Sequence, residues 1–245
     1  MGEGSLRLRL SGLESIRQAL DREQPLSILL VREGIRGAAS DALIERARRA
    51  GIRISIESQR EMRRMSETDE PPELLAVAGL PPATDLDVLM RGEGLVLVLV
   101  GLRYPANVGF ILRSAEVAGV AGVVVANDWA ASEWEEARRV GIRANRFISV
   151  LEAEATKAVD SAREAGRRIV AIETSGRSSP WQIDLAQPTA LLIGSETTGV
   201  ADELLEGADE IVRIPTRGFI PSYNVQAATG ILLGEWLRQT AGGME

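Results

Sequence analysis

Leu95-Val96-Leu97-Val98-Leu99-Val100-Gly101-Leu102-Arg103-Tyr104-Pro105-Ala106-Asn107-Val108-Gly109 decides the fold. Its first six residues are an unbroken apolar run, the signature of a strand covered on both faces of a parallel sheet. Gly101 and Pro105 break that run, and Val108–Ala118 then takes up helical spacing. Strand, turn and helix in succession are the unit of an α/β protein. Working outward, strands are expected at Gly122–Ala126, Arg168–Ile172, Ala190–Ile193 and Ile211–Ile214, and a long apolar-striped helix at Val225–Leu237. The alternation implies a mostly parallel sheet with helices on both faces.

Before this stretch the chain reads helix, strand, helix, strand, helix, strand. Gly12–Leu20 has amphipathic spacing, Leu26–Val31 is a short buried-strand run, and Ala39–Ala50 places Ala42, Leu43, Ala47 and Ala50 at helical intervals. Ser40 and Asp41 are candidate N-caps there, and Gly51 ends the helix. Arg53–Ile56 alternates with period two, and Leu74–Ala78 is again apolar. A small α/β domain is therefore expected over residues 1–78. Gly79-Leu80-Pro81-Pro82-Ala83-Thr84 breaks both patterns and opens a linker at 79–93, with the larger domain at 94–245.

Composition narrows the chemistry. The 245 residues contain no cysteine and no histidine. Disulfides, thiolate metal sites and Ser-His-Asp or Cys-His nucleophiles are therefore excluded, and no acidic cluster asks for a metal. No apolar run reaches the roughly 18 residues of a membrane span, and Met1–Ser5 lacks a basic-then-apolar signal pattern. A cytoplasmic protein without a membrane partner is expected. The net charge of −7 opposes nucleic-acid binding in bulk. Local arginine clusters soften that objection: Arg46, Arg48, Arg49 and Arg53, then Arg60, Arg63 and Arg64, then Arg138, Arg139, Arg143 and Arg146. Each is either a phosphate-binding patch or a solvated helix face.

Three segments end strands and carry candidate chemistry, where α/β proteins hold ligands. The first is Pro105–Gly109 with Arg113 beyond it. Asn107 is either the N-cap of the helix or a site residue, and Arg113 a surface cation or a partner for phosphate and ribose. The second is Gly194-Ser195-Glu196-Thr197-Thr198-Gly199, a plain strand-to-helix turn or a ligand loop. A carboxylate between its glycines suits a cationic ligand better than a phosphate. The third is Ile214-Pro215 running to Ser222-Tyr223-Asn224-Val225, in which Ser222 and Asn224 are N-caps or hydrogen-bonding site groups. A nicotinamide-binding Rossmann protein is a poor match, because Gly101-Leu102-Arg103-Tyr104-Pro105 is not Gly-x-Gly-x-x-Gly.

In this order and spacing the three segments resemble the motifs of the SpoU/TrmH family of RNA 2′-O-methyltransferases, of the SPOUT class. The resemblance implies a trefoil-knotted catalytic domain behind a small substrate-binding domain, S-adenosylmethionine as cofactor, no metal, and a homodimer in which the closing helix packs. It implies 2′-O-methylation of a ribose in structured RNA, ribosomal ahead of transfer RNA; the alternative is an inactive RNA-binding protein of the same fold. Carried over by resemblance, the catalytic set is Asn107, Arg113, Glu196, Ser222 and Asn224. The cofactor set is Thr174, Gly194, Glu196, Ile214, Pro215, Tyr223 and Asn224, and RNA falls to Arg46, Arg48, Arg49 and Arg113. The family proposal makes the arginine at Arg113 the proton acceptor; a guanidinium ordinarily stays charged to above pH 12, so electrostatic stabilisation is the other role. Thr197 and Tyr223 depart from the usual glycine and leucine, and Arg138–Phe147 from a small-residue segment.

Overall fold

The computed structural model describes residues 7–66, 68 and 70–240. The chain forms two compact units, Met1–Pro82 and Ala83–Glu245.

The first unit runs β1 (Leu8–Ser11), α1 (Leu13–Asp21), β2 (Leu26–Arg32), α2 (Ala38–Arg49), β3 (Arg53–Glu57), α3 (Gln59–Arg64) and β4 (Leu74–Ala78). Its sheet has the order β1-β4-β2-β3, parallel between β2 and β3 and antiparallel elsewhere. Ile16, Ala19 and Leu20 of α1 and Leu43 and Ala47 of α2 pack with Leu29, Val31, Leu74 and Ala76 of the sheet. Two readings change. β1 was not expected, since it is an edge strand whose Leu8 stays exposed. Ser40 and Asp41 are not N-caps: the carbonyl of Gly37 already accepts from Asp41 N at 2.9 Å, so the helix starts at Ala38 and Ser40 is buried within it.

The second unit contains α4 (Leu86–Arg91), β5 (Leu95–Val100), α5 (Pro105–Ala118), β6 (Gly122–Ala126), α6 (Ala131–Val140), β7 (Ser149–Glu152), α7 (Ala155–Glu164), β8 (Arg168–Ile172), β9 (Thr189–Ile193), α8 (Asp202–Glu206), β10 (Glu210–Val212) and α9 (Val225–Thr240). Its six strands are all parallel, in the order β10-β8-β9-β5-β6-β7. The Leu-Val alternation of β5 divides between two cores. Leu95, Leu97 and Leu99 join one face and Val96 and Val98 the other, as a strand covered on both sides requires. Pro105 takes the first position of α5, where its missing N–H costs nothing. Gly119, at φ 77, closes the helix in the left-handed region.

Residues 79–93, read from sequence as linker, contain α4. Asp85 caps it, accepting from Val88 N at 3.1 Å. Its far end is held by Arg167, whose guanidinium donates to the carbonyls of Leu89, Met90, Gly92, Gly94 and Thr189. Arg167 is 3% exposed, and burial pushes its pKa below the usual arginine value. A helix C-terminus presents unpaired carbonyls and a negative dipole end, which is what a buried cation needs.

Candidate active site

β10, β8, β9 and β5 are neighbours in the sheet, so the loops leaving their carboxyl ends lie side by side. Strand order reverses between β5 and β9, the switch point where α/β sheets bind ligands. A cavity of about 620 Å³ opens there, lined by parts of all four loops and the start of α9. Its size falls within the roughly 300–1,000 Å³ of small-molecule sites.

Gly194 and Gly199 close the loop after β9. Ser195 and Gly199 exchange backbone hydrogen bonds of 3.1 and 3.0 Å, making a tight hairpin. A Cβ on Gly194 would stand 2.1 Å from the carbonyl carbon of Gly199. Gly199 has φ +67, and its Cβ would stand 2.0 Å from Glu173 Oε1. That oxygen accepts from Val200 N at 2.6 Å, while the other accepts from Thr174 N at 3.2 Å. Glu173 is thus the carboxylate that ties the β8 loop to the β9 loop. Sequence reading stopped one residue short of it, at Thr174, because a lone carboxylate after a strand belongs to no motif. Thr197 needs no glycine, since Gly199 alone in this loop has positive φ.

Glu196 ties the β9 loop to α5. Its Oε1 accepts from Asn107 Nδ2 at 2.5 Å and its Oε2 from Arg103 N at 3.0 Å. Asn107 is therefore not an N-cap. It sits inside the first turn of α5, whose N-cap position is Tyr104 with no side-chain cap. Gly109 faces away from the cavity, with space for a Cβ removed by Ala137 and Val140 of α6. It is there for the helix crossing.

The third segment is divided. Asn224 Oδ1 accepts from Gln226 N at 2.9 Å, the N-cap reading of α9, and its Nδ2 has no partner among the described residues. The Ser222 hydroxyl is likewise unpaired among them, and both residues line the cavity. Tyr223 Oη donates to Pro215 O at 3.4 Å, drawing the ends of the 215–223 loop together. Thr174, Gly194, Ile214 and Tyr223 line the cavity with them; Pro215 lines a smaller cleft instead. Arg113 lies outside the cavity on the exposed face of α5, without a hydrogen-bond or ion-pair partner among the described residues.

In the first unit the three arginines singled out by sequence are exposed but paired. Arg46 bonds Asp21 at 2.5 Å, and Arg48 and Arg49 both bond Glu45. Those bonds hold the Glu45 carboxyl below its usual pKa, Arg48 first. Arg36, Arg53, Arg60 and Arg63 are exposed and, among the described residues, unpaired.

The family described as the SpoU rRNA Methylase family matches residues 94–234. The chain is 32% identical over 233 residues to the 23S rRNA (guanosine-2′-O-)-methyltransferase RlmB of Pseudomonas aeruginosa, covering 91% of this chain and 93% of that protein. Among solved structures it resembles an RNA 2′-O ribose methyltransferase, with TM-score 0.56 and 28% identity over 95% of this chain and 88% of that one. It also resembles the SpoU methyltransferase AviRb from Streptomyces viridochromogenes in complex with the cofactor AdoMet, with TM-score 0.57 and 27% identity over 95% and 90% of the two chains.

Proposed function

This chain belongs to the SpoU rRNA methylase family, and we propose that it methylates the 2′-oxygen of a ribose in ribosomal RNA with S-adenosylmethionine as donor. The observation that carries the reading is the cavity at the switch point, where Glu173 and Glu196 lock three strand-end loops together. The residues fit the cofactor: two carboxylates and exposed loop backbone suit a cationic sulfonium and an adenine held by main-chain groups. Within the proposal, Thr174, Gly194, Ile214 and Tyr223 form the cofactor wall and Pro215 backs it. A guanosine of 23S RNA, the substrate in the name of the Pseudomonas aeruginosa relative, is the substrate proposed.

When bound, S-adenosylmethionine supplies an activated methyl group and its own leaving group. The chain's work is orientation, water exclusion and handling of one proton. Asn107 and Glu196 hold the α5 loop against the β9 loop, Ser222 and Asn224 offer free polar groups at the rim, and Arg113 provides positive charge for the reacting oxygen. Glu196→Ala removes the acceptor of two hydrogen bonds at once. Its dissociation constant for S-adenosylmethionine should rise about tenfold or more, read by calorimetry; an unchanged constant would leave Glu196 without a part in the pocket.

A homodimer and cytoplasmic action on ribosomal RNA belong to the same proposal. Support for the dimer comes from α5, which exposes Phe110 and Val117 seven residues apart on one face, with Val117 78% exposed. The trefoil crossing is also part of it, supported by the match to the family model over residues 94–234. The first unit is assigned to RNA, through Arg36, Arg53, Arg60 and Arg63 more than the paired Arg46, Arg48 and Arg49. The direct test incubates the purified protein and S-adenosylmethionine with 23S RNA transcript and maps 2′-O-methyl sites, while light scattering gives the mass of the active species. One methylated ribose made by a dimer is the expected result. Cofactor binding without transfer to any RNA would instead favour the inactive RNA-binding reading.

A further inference from the structure

Beside the cofactor cavity, at the same end of the sheet, lies a second cleft of about 210 Å³ lined by Arg177, Ser178, Ser179, Trp181, Gln182, Arg213 and Pro215. The two are separated by one stretch of chain: Arg213 lines both, Ile214 and Thr216 line the first, and Pro215 the second. The cleft is built firmly. Gly176 has no room for a Cβ against Val212 and Arg213, and Arg213 N donates to Ser178 O at 2.9 Å. These contacts fix the backbones of Arg177 and Arg213 next to each other. Ser179 Oγ and N both donate to Gln182 Oε1 at 2.8 Å, setting the turn that carries Trp181.

What the cleft presents is unusual for a protein of net charge −7. Trp181 is 54% exposed, and neither arginine side chain has a hydrogen-bond or ion-pair partner among the described residues. Glu210, which bonds a residue of the cleft, is taken up by Arg168 and by the Ser178 hydroxyl. Two adjacent unpaired cations call for an anion, and an exposed indole for a flat ring. One unpaired nucleotide offers both: base on tryptophan, phosphate on arginine. The volume is below the roughly 300 Å³ at which whole-ligand pockets begin, so a fragment of a longer chain suits it better than a second free cofactor.

We propose that this cleft grips an unpaired nucleotide of the RNA substrate, flanking the one that is methylated, with its base stacked on Trp181 and its phosphate held by Arg177 and Arg213. The assignment rests on the reading of the chain as an RNA methyltransferase, and it gives that enzyme a means of choosing single-stranded context next to its target. Trp181 and Arg177 lie outside the cofactor cavity, so changing them leaves cofactor affinity unaltered.

The test uses the full-length protein with short unstructured oligoadenylate as probe, AMP and inorganic phosphate as controls, and 23S RNA transcript for turnover. Oligoadenylate should quench tryptophan fluorescence in the wild type and lose most of that effect in Trp181→Ala; of the other three tryptophans, Trp134 and Trp236 are buried and Trp129 is half-buried against the core, outside the cleft. Affinity for the oligonucleotide should fall about tenfold in Trp181→Ala, the usual scale of one stacked base, and return largely in Trp181→Phe. Arg177→Ala should flatten the salt dependence by about 0.7 in log–log slope, one phosphate on a single strand. KM for the transcript should rise in both with kcat and S-adenosylmethionine affinity held. Unchanged oligonucleotide affinity in both variants, with cofactor binding intact, overturns the proposal. So does AMP or phosphate binding as tightly as the oligonucleotide, which would make the cleft a site for a free nucleotide or anion. A wild type that binds oligoadenylate through Trp181 but transfers no methyl group would sink the enzymatic reading and leave this site standing.

Discussion

An Arg113→Ala variant should lose about 10²-fold or more in turnover while binding S-adenosylmethionine as well as the wild type. The magnitude is that of removing a base or a transition-state charge partner. The separation of effects follows from geometry: Arg113 is exposed, unpaired among the described residues and outside the cavity, so its loss disturbs no wall of the pocket. Arg113→Lys then distinguishes two roles. Lysine keeps a positive charge, titrates near 10.4 and gives up the bidentate fork. If the position accepts the ribose proton, the lysine enzyme should recover as pH rises toward that value. If it holds phosphate and stabilises the alkoxide, the lysine enzyme should stay impaired, with no rise at high pH beyond that of the wild type. Near-wild-type turnover in the alanine variant would reject both roles.

The strands buried on two faces were legible residue by residue. β5, β6 and β8 are continuous apolar runs because both sides of each meet a core. Of the four edge strands, β3 and β10 were legible too, and β1 and β7 were not. β1 and β7 are short and half exposed, and α6 buries only Trp134 and Ala137 beneath a surface of glutamate and arginine. β10 ends at Val212, earlier than its apolar run, because Arg213 N turns to the Ser178 carbonyl instead of a sheet neighbour. The site divides along the same line. Gly194 and Glu196 could be singled out because their motif is local. Glu173 could not, since its importance arises only when Gly199, 26 positions on, folds over it. The pairing of Arg46 with Asp21 is equally non-local, 25 residues back along the chain, so a cluster that reads as free charge is partly neutralised.

Arg167 carries the largest expected effect on stability. Replacing it with methionine should lower the unfolding free energy by about 3–5 kcal/mol, the range for leaving buried polar partners uncompensated. The guanidinium serves five backbone carbonyls at 2.5 to 3.4 Å, and no substitution can remove those acceptors. An apolar exchange is tolerated where both partners of a buried pair go together; here one partner is the main chain itself. Methionine keeps much of the volume, so a cavity is a minor part of the loss. Arg167→Lys should fall between, because an ammonium has three donors for five acceptors. Urea denaturation gives the free energies. Hydrogen exchange locates the damage, with amides of α4 and of residues 92–94 exchanging faster in the methionine variant while those of β5 are less affected. A loss under about 1 kcal/mol would mean that the carbonyls find water or each other, and that α4 is held by Leu89 and Met90 in the core rather than by the cation beneath it.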